Sequence, residues 1–281
     1  AWLMVRGVST ALTAVTARER PRVSGVTFTG IGLGTLLTAG VATLLPWIGP
    51  TTAWLLMAVL AGAATGVGIR AWLVMRPASP DSIEVGVSAR RHRGWLLAPL
   101  LIIVAYAVEA IGIVPHGVFW VDFLVRERHL SQGFAALQWW VVGIGSLVGP
   151  TVIVKIAGRT GIPFMLQACY ALTALAVAIP VISSQPALLT VSSLVIGALV
   201  PGAVSMTSAA LAEIAGAAAH ARWWAGATLA FAIGQASGAA AMASWYGRIE
   251  AYVPLFVAGG VAAVLAWVLA LIGQWSHRRY A

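Results

Sequence analysis

Nine apolar stretches follow one another along this 281-residue chain, at roughly 1–16, 23–46, 52–75, 95–124, 133–156, 162–182, 187–213, 222–247 and 251–274. A helix needs about 20 apolar residues to cross the hydrocarbon core of a bilayer. All but the first stretch reach that length. In lipid the backbone amides of such a run must be satisfied within the run itself, which selects the α-helix. The breaks between stretches carry helix breakers and charges: Arg18 to Arg22, Pro46 to Pro50, Pro77 to Arg93, Arg159 to Pro163, and Ser183 to Pro186. The expected fold class is therefore all-α, a polytopic transmembrane helical bundle.

Charge agrees with this. Only 9% of residues are charged, against about a quarter in a soluble domain, so the chain cannot clothe itself for water. The net charge of +9 is spread over helix ends and forms no single basic face, which argues against a nucleic-acid partner and for the lipid bilayer. The single Cys169 cannot form an internal disulfide, and the absence of Asn leaves no N-glycosylation acceptor. Sixteen of the seventeen basic residues are Arg, as in a GC-rich bacterial gene. No signal-peptide pattern is visible. The chain starts at Ala1 inside a short apolar stretch, so it reads as a piece cut within a helix.

Orientation follows from the loops. Alternate loops place Arg18, Arg20, Arg22, Arg70, Arg76, Arg90, Arg91, Arg93, Lys155, Arg159, Arg222, Arg278 and Arg279 on one side. Arg126, Arg128 and Arg248 lie on the other, offset by Asp122, Glu127 and Glu250. The basic side is expected in the cytoplasm, together with the C-terminus. Trp47, Trp54, Trp72, Trp95, Trp120, Trp245 and Trp275 fall near helix ends, as an aromatic belt requires. The one polar stretch of any length, 77–94, then divides residues 1–76 from 95–281 as a cytoplasmic linker. Arg20 to Gly40 and Arg222 to Gly238 both enter a Gly-rich helix from a basic loop, a weak internal symmetry of the kind built into transporters.

One residue stands out against this background. Glu109 lies inside the run Trp95 to Leu124 with no Lys or Arg within ten positions. Placing a carboxylate at the bilayer centre costs at least ~2.5 kcal/mol. Such an acid is protonated, paired, or faces a wet cavity. His116 is seven residues on, so a regular helix sets the two roughly 20° apart on one face. Between them Pro115 removes a backbone donor and disturbs the carbonyl of Ile111, with Gly112 as a soft point. An imidazole titrates near neutral pH and burial favours the uncharged form of an acid, so the pair suits proton uptake coupled to helix bending. The competing reading is that Glu109 bonds a neighbouring helix and locks packing, and that His116 is a satisfied packing residue.

Other candidates are weaker. Asp122 and Arg126 form an i, i+4 pair worth about 0.3–0.5 kcal/mol if exposed. Gln235, between Gly234 and Gly238, is a substrate contact or packing glue. Arg6 is an anion-binding candidate within the membrane. Tyr106, Phe119 and Trp140 could line a cavity or simply pack. Glu213 and His220 are expected to face headgroups. Gly30-Ile31-Gly32-Leu33-Gly34 has no preceding strand and is no dinucleotide loop. Gly62/Gly66, Gly145/Gly149 and Gly234/Gly238 read as small-residue packing faces. No His or Cys pair has zinc-ligand spacing, and no nucleotide-binding motif occurs.

The run Gly112-Ile113-Val114-Pro115-His116-Gly117-Val118-Phe119-Trp120-Val121-Asp122-Phe123, followed by Arg126, resembles the seventh helix of the YbfB-like branch of the major facilitator superfamily. Trp140 to Gly145, Gly149-Pro150 and the loop Lys155-Ile156-Ala157-Gly158-Arg159-Thr160-Gly161 resemble its next helix and cytoplasmic loop motif. Trp224-Ala225-Gly226 and Phe231 to Ala236 resemble its eleventh helix. The resemblance implies a major facilitator fold lacking roughly its first three helices. Residues 1–76 would be helices four to six, and 95–281 the six-helix C-terminal bundle. It also raises Pro115, Asp122 and Arg126 to gate candidates. Gly158 stands where the superfamily has an Asp before its Arg, so a gating ion pair through that Asp is not expected here. Arg6 abuts Gly7, unlike the usual helix-four spacing.

The resulting expectation is a secondary active transporter, not an enzyme, that moves a small solute across the bacterial inner membrane. It would be a monomer, coupled to protons by alternating access, with no cofactor and no metal. The alternatives are a membrane enzyme acting on a lipid-like substrate, or a non-transporting membrane fragment. The enzyme would need an acid-rich site at the cytoplasmic face, where Glu19, Asp81, Glu84 and Glu213 are scattered.

Overall fold

The computed structural model describes Gly7, Ala11, residues 20–74 and residues 96–280. Arg6 and the 77–94 linker lie outside the described residues. Those described form seven helices and no strand: α1 Arg20–Val74, α2 Leu97–Glu127, α3 Gln132–Thr160, α4 Ile162–Ile182, α5 Pro186–Ala215, α6 Ala217–Ile249 and α7 Val253–Tyr280. Six of them are long and apolar enough to cross a membrane. The exception is α6, which has the length but is diluted by Ala, Gly and Ser.

The breaks fall where local chemistry demands them. Gly49 is at φ 73°, ψ 164°, and divides α1 into arms 20–48 and 50–74 just before Pro50. A left-handed φ favours glycine because no Cβ opposes it. Gly161, at φ 89°, ends α3 and starts α4 two residues before Pro163. Ser131 caps α3 by accepting from the Phe134 amide at 3.2 Å.

Helix α2 packs against α6 and α7, α4 against α5 and α7, and α5 against α3. Small residues let backbones approach. A Cβ at Gly145 or Gly149 would collide with the α5 backbone at Leu194 or Ala198, and one at Gly234 with the Ala107 carbonyl of α2. Gly62 and Gly66 differ from expectation, since no described atom lies within 4 Å of a Cβ placed at either. The first arm of α1 docks on α3 and α5 through Gly32, through Ser24 to Ser205 at 3.2 Å, and through Trp140 Nε1 donating to Thr43 at 3.1 Å.

Large apolar side chains remain outward-facing, among them Leu73 at 79% exposure, Leu175 at 63% and Ile182 at 81%. In water such a surface would aggregate; in a bilayer it is the lipid-facing belt. The interior holds two packed clusters. One gathers Tyr106, Leu166, Cys169, Tyr170, Met206 and Trp224. The other gathers Trp120, Phe123, Val177, Leu189, Tyr252 and Phe256.

Candidate functional site

Helix α2 is irregular where Pro115 falls. It is α-helical over Leu97–Gly112, π-helical over Pro115–Phe119, briefly α-helical over Trp120–Asp122, and π-helical again over Phe123–Glu127. Pro115 has no amide to donate, and the ladder is re-made in wider turns. The first wide turn is held against α7. A Cβ at Gly259 would sit 2.8 Å from both the Gly112 carbonyl oxygen and Pro115 Cγ. The break expected from the sequence is thus a pair of π turns on a helix pressed against its neighbour.

Glu109 lies one turn before this region and is 2% exposed. Neither carboxyl oxygen has a hydrogen-bond partner, and no cation among the described residues pairs with it. It lies within electrostatic reach of Tyr106, Cys169 and Tyr170. Tyr170 is hydrogen-bonded to Thr207 at 3.2 Å. Tyr106 stacks on Trp224 at 6.1 Å and packs on Phe231 at 4.6 Å, so it is core and lines no cavity. Glu109 therefore faces the interior of the helices beyond the linker and not the surrounding lipid. An unpartnered carboxylate is costly there.

His116 is 4% exposed and sits in a built network. Its Nε2 is 2.8 Å from Ser192 Oγ, which donates its own proton to the Ala176 carbonyl at 2.8 Å. The hydroxyl proton is committed, so Nε2 carries the hydrogen and donates, and Nδ1 holds the lone pair. Nδ1 has no partner. The ring stacks on Trp120 at 4.5 Å and meets Phe256 edge-on at 5.2 Å. Beside it Trp120 Nε1 donates to Ser193 at 2.9 Å, and Ser193 donates to Gln138 Oε1 at 2.9 Å. Gln138 Nε2 then donates to Thr190 at 3.2 Å. This chain ties α2, α3 and α5 together.

The end of α2 holds on to α7. Asp122 meets Arg126 at 3.6 Å with both side chains more than half exposed, and accepts from Tyr252 Oη at 3.3 Å. Burial, then the Tyr246 and Asp122 neighbours, pushes the Tyr252 phenol above its usual range, so it remains a donor. Glu127 is the last residue of α2. Its carboxylate accepts from the amides of Tyr252 and Val253, capping the first turn of α7. Arg128 donates to the Pro180 carbonyl at 2.6 Å and lies 4.9 Å above the Phe123 ring.

An apolar bundle with a broken, acid-bearing helix is a transporter-like arrangement, and comparison with known proteins decides the family. The family described as "Uncharacterised MFS-type transporter YbfB" matches residues 1–271. The chain belongs to this YbfB-like family of MFS-type transporters. Among solved structures 33 chains match. One is a bacterial homologue of the iron transporter ferroportin in an outward-facing state, at 16% identity and TM-score 0.65, covering 98% of this chain and 69% of that one. At that identity the likeness concerns the fold alone. Comparison with curated proteins yields no match.

Within this YbfB-like transporter the remaining candidates lie apart from Glu109. Gln235 is exposed on α6, while its neighbours Gly234 and Gly238 press on α2 at Ala107 and Ile111. Gly149 and Pro150 are buried in α3, Lys155 and Arg159 are exposed near its end, and Gly161 makes the turn. His220 departs from expectation: it is buried and bonded to the Ser208 hydroxyl and carbonyl, both at 3.1 Å. Phe119 packs in the second cluster. Sequence reasoning missed Gln138, Ser192 and Ser193, whose only signal was polarity inside apolar stretches.

Proposed function

We propose that this MFS-type transporter is proton-coupled and moves a small solute across the bacterial inner membrane, with Glu109 as the titrating group. Alternating access would rock the bundle containing residues 1–76 against the bundle of residues 95–281, joined by the 77–94 linker, with the C-terminus in the cytoplasm. The observation that carries the reading is Glu109 itself, a buried acid without a hydrogen bond or a counter-ion among the described residues. In its neutral form it suits the dry interior. Losing the proton creates a charge that only a rearranged, wetter packing around α2 could accommodate. The π turns at Pro115–Phe119 and Phe123–Glu127 give α2 the places to rearrange. One proton moved through 100 mV yields ~2.3 kcal/mol, enough to bias such an equilibrium.

For the solute, a cleft of about 410 Å³ between α1 and α3 is lined by Ile31, Gly34, Thr35, Thr38, Ala39, Ala42 and Trp139. Thr35 and Thr38 spend their hydroxyl protons on their own helix, at 2.9 Å each. One indole and a largely apolar wall favour a small uncharged or aromatic compound. The iron carried by the structural neighbour's namesake is not transferred to this chain. No group of three metal-ligating side chains occurs among the described residues.

The test is transport by the complete protein against a compound panel at two external pH values. The reading expects at least one small, largely apolar compound whose transport changes with the proton gradient. Transport indifferent to that gradient for every compound moved would contradict it.

A further inference from the structure

Glu109 is not the only buried polar group of this interior without a partner. Thr173, on α4, is 0% exposed, and its hydroxyl has no hydrogen bond among the described residues. Its position relative to Glu109 follows from register. Cys169 and Tyr170, which share one packed cluster with Ala105 and Tyr106 of α2, lie four and three residues before Thr173 on α4, as Ala105 and Tyr106 lie before Glu109 on α2. Residues at those spacings share one helix face, a single turn of about 5.4 Å apart. Three residues further on, the Ala176 carbonyl accepts from Ser192, the partner of His116. Thr173 and Glu109 thus each stand one turn beyond that cluster on their own helices, with Thr173 one turn before the α4 carbonyl that meets the partner of His116.

A buried hydroxyl without a partner is as anomalous as a buried carboxyl without one, since nearly all such groups in folded proteins are satisfied by protein or by ordered water. Here two of them, on α2 and α4, supply polar atoms that no described protein atom meets. Beside the rings of Tyr106 and Tyr170, the residues one turn from Glu109 and Thr173 on their own helices include the small, buried Ala105, Cys169 and Ala176. Polar groups in a small-walled interior are the setting in which proteins keep internal water, which takes two to four such partners. The other titratable groups facing Glu109 are Tyr106 on its own helix and Cys169 and Tyr170 on α4. The His and Arg residues of α6 and α7, His220, Arg222, Arg248, His277, Arg278 and Arg279, sit near helix ends.

We infer that Glu109 and Thr173 together form a buried water-binding site between α2 and α4, with Thr173 positioning the water that receives and returns the Glu109 proton. The inference deepens the reading of Glu109 as the titrating group and rests on it for its purpose, but the site stands or falls by a separate measurement. The step is a reversible transfer of one proton from the carboxyl oxygen to water, leaving the carboxylate. The Thr173 hydroxyl donates to that water or accepts from it. The transferred proton stays on that water as hydronium until it is returned.

Infrared difference spectroscopy on the complete protein in lipid tests this, with the carboxylic C=O band of Glu109 assigned by its loss in Glu109→Gln. The expected band is that of a hydrogen-bonded acid, and it shifts promptly on transfer to heavy water. In Thr173→Val the band moves to the position of a free carbonyl, and its exchange slows roughly tenfold, the effect of about one lost buried hydrogen bond. Thr173→Ser restores both. An unchanged band and rate in Thr173→Val would overturn the site, as would the absence of any protonated-acid band assignable to Glu109. If instead the Thr173 variants behave as expected while Glu109→Gln keeps its pH-dependent transport, the water site survives and the coupling role of Glu109 falls.

Discussion

Glu109 and His116 face the same interior from one helix, two turns apart, yet the protein treats them in opposite ways. His116 is clasped by Ser192, Trp120 and Phe256, with the neighbouring Trp120–Ser193–Gln138–Thr190 chain holding three helices in register. Glu109 has comparable burial and no bond to any described protein atom. Both are costly to bury, but only at His116 does the fold offset the cost with hydrogen bonds. Residues that a structure spends effort to satisfy read as architecture. A group left unsatisfied in an otherwise ordered interior reads as one whose state is meant to change. The difference separates two residues that their sequence spacing had placed together.

The comparison can be broken most easily at its well-built end. His116→Ala removes an aromatic ring from a packed cluster together with its bond to Ser192, and is expected to destabilise the protein by about 3 kcal/mol. Equilibrium unfolding in mixed micelles would measure this, and a cost near zero would mean the network is not structural. Ser193→Ala leaves Trp120 Nε1 and Gln138 Oε1 without the hydroxyl that joins them. About 2 kcal/mol is expected in the same assay.

Glu109→Met reverses the sign. Replacing an unpartnered acid by a flexible apolar side chain of similar length should be neutral or stabilising by about 1 kcal/mol. A clear loss would reveal a partner that Glu109 uses in the resting state. The smallest effect belongs to Asp122→Asn, where the pair with Arg126 is solvent-exposed and worth at most about 0.5 kcal/mol. Its melting temperature should be nearly unmoved.

Much of this was legible from residue order because lipid enforces simple rules. The long apolar runs became helices, and the turns fell at Gly49, Gly161 and Ser183–Gln185, where left-handed φ or proline neighbours permit nothing else. Glu109 could be singled out because isolation from Lys and Arg is a property of sequence. The Gly145/Gly149 and Gly234/Gly238 faces were readable from spacing, whereas Gly62 and Gly66 show that spacing alone does not supply a partner. The His116 network could not be read, since its members are 52 to 76 positions apart. Nothing local distinguishes Ser192 or Gln138 from other polar residues in apolar helices. Glu127 was misassigned for the same reason. In the sequence it counted only as an acid offsetting the outer arginines, and only the packing of α7 against the end of α2 reveals a cap. The π turns after Pro115 were half visible, because proline announces a break without saying how the ladder is re-formed.

The most direct measurement uses the complete transporter in liposomes loaded with a pH-sensitive dye, once the compound panel has supplied a transported solute. Wild-type protein is expected to move protons with that solute, so adding it changes the internal pH. Glu109→Gln should still exchange the solute across a membrane at equal pH but produce no pH change. A solute-driven pH change of undiminished size in Glu109→Gln would contradict the account.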